Sequence, residues 1–164
     1  MKKKFIFFML IVLFNVFIFG SNISVSIETI SLINGIPNAR IEIKEPGSSN
    51  GFEIRSSVLF TSISAYDMMI VGFGGGPKLY FDNSSLYGFV DIGVAVISVS
   101  SYADSATAIG YGLSGGFGYK YIFKDSENKI FIEPLLGYGY FNFADYLSYT
   151  APIIGLKIGF SVGK

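Results

Sequence analysis

Histidine and cysteine are both missing from the 164 residues. Without cysteine no disulfide can staple the chain, and no lipid can be attached to a thiol at an export-signal cleavage site. Without histidine the commonest general base is gone, and with it the usual activator of a nucleophilic serine. Charge is scarce as well: Asp, Glu, Lys and Arg make up 15% of the chain, against about 25% in ordinary soluble domains. Residues 21–164 carry nine Lys/Arg and twelve Asp/Glu, a net charge of −3. They hold no basic run that could track phosphates, which excludes nucleic acid as a partner. A sustained 3.6-residue stripe is absent too, and past residue 20 no apolar run is long. Yet 51% of the residues are apolar and 17% aromatic, alongside twenty glycines. Hydrophobicity spread this thinly is unusual for a membrane helix and natural for strands.

The first twenty residues differ. Lys2, Lys3 and Lys4 precede an apolar run from Phe5 to Phe19, broken by Asn15, and then Gly20 and Ser21. A basic n-region, an apolar h-region and small residues form the pattern of a secretory signal. Fifteen helical residues span about 22 Å, short of a roughly 30 Å hydrocarbon core. The expected organisation is therefore a cleaved signal at 1–20 and one domain at 21–164.

Seven clusters of turn residues divide that domain into eight segments, at 23–33, 39–45, 52–63, 68–81, 86–99, 107–123, 129–143 and 149–163. Most are rich in β-branched and aromatic residues with period-two patterning, the signature of strands. The reading is all-β, an eight-stranded antiparallel meander. Placing the more apolar parity outward gives a face with Ile54, Phe73, Ile92, Leu113, Phe117, Leu136, Ile154 and Phe160. Segments one and three slip parity at Ile30, Leu32 and Leu59, which suggests β-bulges. Ten charges of the domain fall in turns, at strand edges or at the terminus. The other eleven share the inward parity: Glu28, Arg40, Glu42, Lys44, Glu53, Arg55, Lys78, Asp91, Lys120, Glu133 and Lys157. A charge-free face over eight strands belongs against lipid, and an edge-free closed sheet is the form strands must take there. A soluble lipocalin-like barrel would reverse the arrangement, crowding large side chains into a lumen that eight strands make narrow.

Three stretches imitate catalytic motifs. Gly110, Gly112 and Gly115 have the spacing of a dinucleotide fingerprint, but the alternation continues through Phe117, Tyr119 and Tyr121 where a helix should begin. Ser114 between Gly112 and Gly116 fits a nucleophile elbow that lacks its histidine. The run Gly72 to Lys78 imitates a phosphate loop with wrong spacing, and Leu79 stands where magnesium binding needs Ser or Thr. No catalytic, cofactor-binding or metal-ligating residue is expected.

The signal, the eight alternating segments, the strand "VGFGGGPKLYF" (71–81) and the ending "APIIGLKIGFSVGK" (151–164) resemble the small outer-membrane β-barrel superfamily. That superfamily includes the OmpA transmembrane domain, OmpX and OmpW-like proteins. The resemblance implies an up-and-down transmembrane barrel in the cell outer membrane, surrounded by outer-membrane lipid, inserted by the barrel-assembly machinery, and monomeric. One departure is that Phe160 is followed by Ser161, Val162, Gly163 and Lys164, where members usually end in an aromatic residue. The expected role is structural and non-catalytic, with the eleven inward charges paired into a plug. The expected belt has Lys78, Asp91, Lys120, Glu133 and Lys157 pairing sideways with neighbouring strands. Alternative readings are a narrow pore, a hydrophobic-compound channel, or a soluble exported barrel that binds an apolar ligand.

Overall fold

The computed structural model describes residues 21–33, 35–63, 66–81, 85–101, 104–123, 129–143 and 147–162. The expected signal segment, 1–20, lies outside them. Alternating sequence becomes strand throughout: β1 (Asn22–Glu28), β2 (Asn38–Lys44), β3 (Asn50–Ile63), β4 (Tyr66–Tyr80), β5 (Leu86–Ser100), β6 (Ser105–Tyr119), β7 (Tyr121–Ile122), β8 (Lys129–Phe143) and β9 (Leu147–Val162), with one short helix, α1 (Thr29–Ile33). β1 to β5 each pair antiparallel with the next strand, β6 and β7 both pair with β8, β8 pairs with β9, and β1 with β9 closes the ring. β6 and β7 are one stave interrupted at Lys120, since both pair with β8 in a single register. The result is the expected closed, eight-stave up-and-down barrel.

The register fixes its shape. A path from Ser26 through Arg40, Arg55, Gly74, Gly93, Gly112, Phe141 and Tyr149 returns to the line of β1 at position 36, ten residues further on. Eight staves with that stagger tilt by about 43°, so each residue adds about 2.4 Å of height. β1 and β9 begin and end at one mouth, here the terminal mouth, which also carries the 45–49 turn with Gly47 at φ 76°. The opposite end is the distal mouth.

The facing follows the alternation. Ile54, Phe73, Ile92, Leu113, Phe117, Leu136, Ile154 and Phe160 are exposed on the outside, while Glu42, Glu53, Lys78, Asp91, Glu133 and Lys157 are buried inside. On β8 the apolar outer face runs from Ile130 to Tyr140, about 24 Å of height, close to the roughly 25 Å band of outer-membrane barrels. Tyr119, Tyr121 and Phe160 ring its lower edge, and Phe60, Tyr111 and Tyr140 its upper edge.

Two expectations fail. The first strand stops at Glu28 instead of continuing to residue 33, and α1 follows it. The Thr29 hydroxyl donates to the Leu156 carbonyl at 2.8 Å, which takes an edge group that a continuing ladder would have used. Gly35 at φ 76° then ends the helix, its N–H bonding Leu32 O while Ile36 N–H bonds Ser31 O, the paired bonds of a Schellman stop. The parity slip at Ile30 and Leu32 is therefore a helix and not a bulge. Nor is there a bulge at Leu59, because β3 pairs with β4 in unbroken register from Asn50↔Leu79 to Ile63↔Tyr66.

Candidate functional site: the charged lumen

The inward parity fills the lower half of the barrel with ions. Every charge that a strand sends inside lies within the seven residues of that strand nearest the terminal mouth, and Lys120 interrupts its stave at a similar height. Arg40 bridges Glu28 at 2.8 Å and Glu53 at 2.7 Å. Lys78 reaches Glu42 and Glu53 at 3.0 Å and Glu133 at 2.9 Å. Lys157 joins Glu53 at 2.8 Å and Glu133 at 2.6 Å. Lys120 closes the cluster on Glu42 at 3.1 Å and donates to Ser24 at 2.7 Å. Four acids and four bases thus form one connected, neutral network. Its centre is dry: Lys78 is 2% exposed, and Glu133 and Lys157 are 1%. Buried ions are tolerated when each charge is paired, as every one is here, although Arg40 Nε and Asn38 Oδ1 are buried without a hydrogen-bond partner.

Asp91 behaves differently from the expected sideways belt. It pairs with Arg55 at 2.8 Å, across the intervening β4, and not with its strand neighbour Lys78. Glycine makes the crossing possible. A Cβ at Gly74 would stand 2.7 Å from Arg55 Nε, and one at Gly93 would stand 2.9 Å from Arg55 Nη2. Lys120 likewise pairs with Glu42, on the far side of the lumen, and of the five expected belt members only Lys157 and Glu133 pair as strand neighbours. Lys44 makes no ion pair among the described residues. It sits half-buried at the terminal mouth, with Nζ 3.8 Å from the Tyr80 ring centre, beside an open vestibule of about 280 Å³.

Several members of the network carry no charge. Tyr80 donates its hydroxyl to Glu42 and Tyr87 donates to Glu133. Lys78 lies 4.3 Å from the Tyr87 ring centre and Lys120 4.3 Å from that of Phe131. Asn38 donates to Glu28 at 3.1 Å. Their signal in the sequence was parity: Tyr80 shares the facing of Lys78, Tyr87 that of Asp91, and Phe131 that of Glu133.

The three motif imitations lie in strands. Gly110 to Tyr119 is continuous β6, Ser114 is buried in the lumen at 6% exposure, and Gly72 to Lys78 is part of β4. What this arrangement can do is close a channel. Among the described residues there is no free cleft at its centre, and each of the five inward carboxylates is held by a cation.

No family model matches the chain, and no curated protein matches it in sequence. Among solved structures it is similar to the N-terminal β-barrel domain of OprF from Pseudomonas aeruginosa, with a TM-score of 0.51 and 10% identity over 86% of this chain and 97% of that one. It is also similar to Ail, the attachment invasion locus protein of Yersinia pestis, with a TM-score of 0.51 and 15% identity over 87% of this chain and 99% of the other. Both likenesses extend over nearly the whole barrel and are likenesses of fold.

Proposed function

We propose that the protein is an integral outer-membrane barrel of structural, non-catalytic role, whose lumen is closed by its ion-pair network. The observation that carries this reading is the inversion of surface and interior. Isoleucine, leucine, phenylalanine and tyrosine form the exposed wall, while lysine, arginine, glutamate and aspartate are buried. Water would favour the reverse, and a bilayer favours this. In this reading the terminal mouth faces the periplasm and the distal mouth the exterior. Residues 1–20 are an export signal, so the mature chain begins at Ser21. The barrel inserts as a monomer with the help of the assembly machinery.

Two measurements test the reading together. The protein extracted from an envelope fraction is expected to migrate differently in gel electrophoresis before and after boiling, as a closed barrel resists detergent until heated. Reconstituted in planar bilayers, it is expected to show no steady conductance. A chain that stays in the soluble fraction would remove the membrane assignment, and free conduction would replace the closed lumen with a pore.

A further inference from the structure

The lumen changes character above the ion pairs. Beyond Arg55 and Asp91, the inward positions of the long strands hold no charged residue up to the distal mouth. This upper lumen contains a cavity of about 310 Å³, lined by Ile36, Ile70, Ala95, Phe141 and Tyr149 among others, with Arg55 at its floor. That volume lies at the lower end of the range for small-molecule sites, about 300–1,000 Å³. The cavity is kept open by design of the wall. Phe141 and Phe143 lie flat over β6, where a Cβ at Gly112 would come within 3.0 Å of the first ring and one at Gly110 within 2.7 Å of the second. Tyr149 stacks on both, with ring centres 5.3 and 6.0 Å away.

A second observation concerns the wall itself. β1 pairs with β9 only up to Glu28↔Lys157, and β2 pairs with β3 from Asn38↔Ser57, with one further bond from Val58 N–H to Pro37 O at 3.1 Å. β3 continues to Ile63, and β9 begins at Leu147. Two adjacent staves are therefore about 17 Å tall in a wall that elsewhere stands about 35 Å. The apolar outer band continues above the short pair, as shown by Ile154 (65% exposed) on β9 and Phe60 (70% exposed) on β3. The notch therefore opens at hydrocarbon depth, over roughly the upper 12 Å of the band. α1 stands within the notch against β9, held there by the Thr29–Leu156 bond, with Leu32 and Ile33 exposed, and Ile36 lines the cavity.

We infer that the distal half of the lumen holds an acyl chain of a bilayer lipid, admitted sideways through the notch between β9 and β3. An apolar cavity with a side entrance from hydrocarbon fits a chain that never has to cross water. The closed lower lumen stops the chain above Arg55. The inference goes beyond the structural role and rests on the bilayer placement of the barrel.

The test uses the full mature protein in vesicles that contain a phospholipid with a photoactivatable diazirine near the end of one acyl chain. Adducts are mapped by peptide sequencing. The expected result is labelling of inward residues such as Ile70, Ala95 and Phe141, in addition to outward residues such as Ile92 and Leu113. Ala95→Trp, which fills the cavity, is expected to remove the inward adducts and leave the outward ones; Ser57→Trp serves in its place if that variant loses the heat-dependent gel shift. Adducts confined to the outward parity would overturn the inference, as would inward adducts that persist in the filled variant. Inward labelling by a photoactivatable free fatty acid but not by the phospholipid would overturn it too. Loss of adducts on both parities would overturn the bilayer placement itself, and the inference with it.

Discussion

Glu133→Ala is expected to destabilise the folded barrel by about 3–5 kcal/mol, the cost of leaving buried charge without its partner. Glu133 holds Lys78 and Lys157 and accepts the Tyr87 hydroxyl, at 1% exposure. Removing it leaves three acids against four bases in the connected cluster, one positive charge in excess. Lys78 keeps Glu42 and Glu53, and Lys157 keeps Glu53, but the lost charge has no replacement in a dry centre. The double variant Glu133→Leu with Lys157→Met removes one acid and one base, and is expected to recover most of the loss, because apolar replacement of a whole buried pair is often neutral. Urea-induced unfolding of the vesicle-reconstituted protein measures both. Equal destabilisation by the single and double changes would show that packing around residue 133, and not charge balance, sets the cost.

The second large effect belongs to the wall. Leu136→Arg places a charge on the exposed outer face, where Leu136 is 62% exposed and pairs with Phe117 on one side and Ile154 on the other. It lies close to the middle of the apolar band, where arginine costs about 2–4 kcal/mol. Thr150→Arg sits on the same outer face beside the distal rim, where the cost falls to about 0–1 kcal/mol. The same unfolding assay compares them, and similar losses for both would mean that the bilayer is not centred on this band.

The barrel wall was legible because a strand writes its facing into alternate residues, and this chain does so with little noise. Ile92, Val94 and Val96 against Asp91, Gly93 and Ala95 need no tertiary information to be separated. The partners of the inward charges were not legible. Alternation says that Asp91 and Arg55 point inside, but their meeting depends on the missing side chains of Gly74 and Gly93, which clear a path over β4. The inward facing of Tyr80 and Tyr87 is obscured for a related reason. Large aromatic residues fit the outside of a narrow barrel in general, and these two enter it because Glu42 and Glu133 accept their hydroxyls. The end of β1 was hidden because Ile30 and Leu32, inside α1, keep a period-two spacing on the opposite parity and so imitate a strand with a bulge. Gly35 signals the end of α1 and not the end of β1 seven residues earlier.

The ladder between β1 and β9 carries a kinetic consequence. It is among the shortest in the ring, six pairs from Ile23↔Val162 to Glu28↔Lys157, and it joins opposite ends of the chain. Every other long ladder links strands adjacent in sequence, so those can zip from a nearby turn while the chain is still open. The β1–β9 seam has to bring together ends separated by the whole meander, at the largest loop-closure entropy in the molecule. Contacts of such sequence separation slow folding. The barrel is therefore expected to close last at this seam, with the Glu53–Lys157 bridge reaching over it from β3 to β9 as the latch.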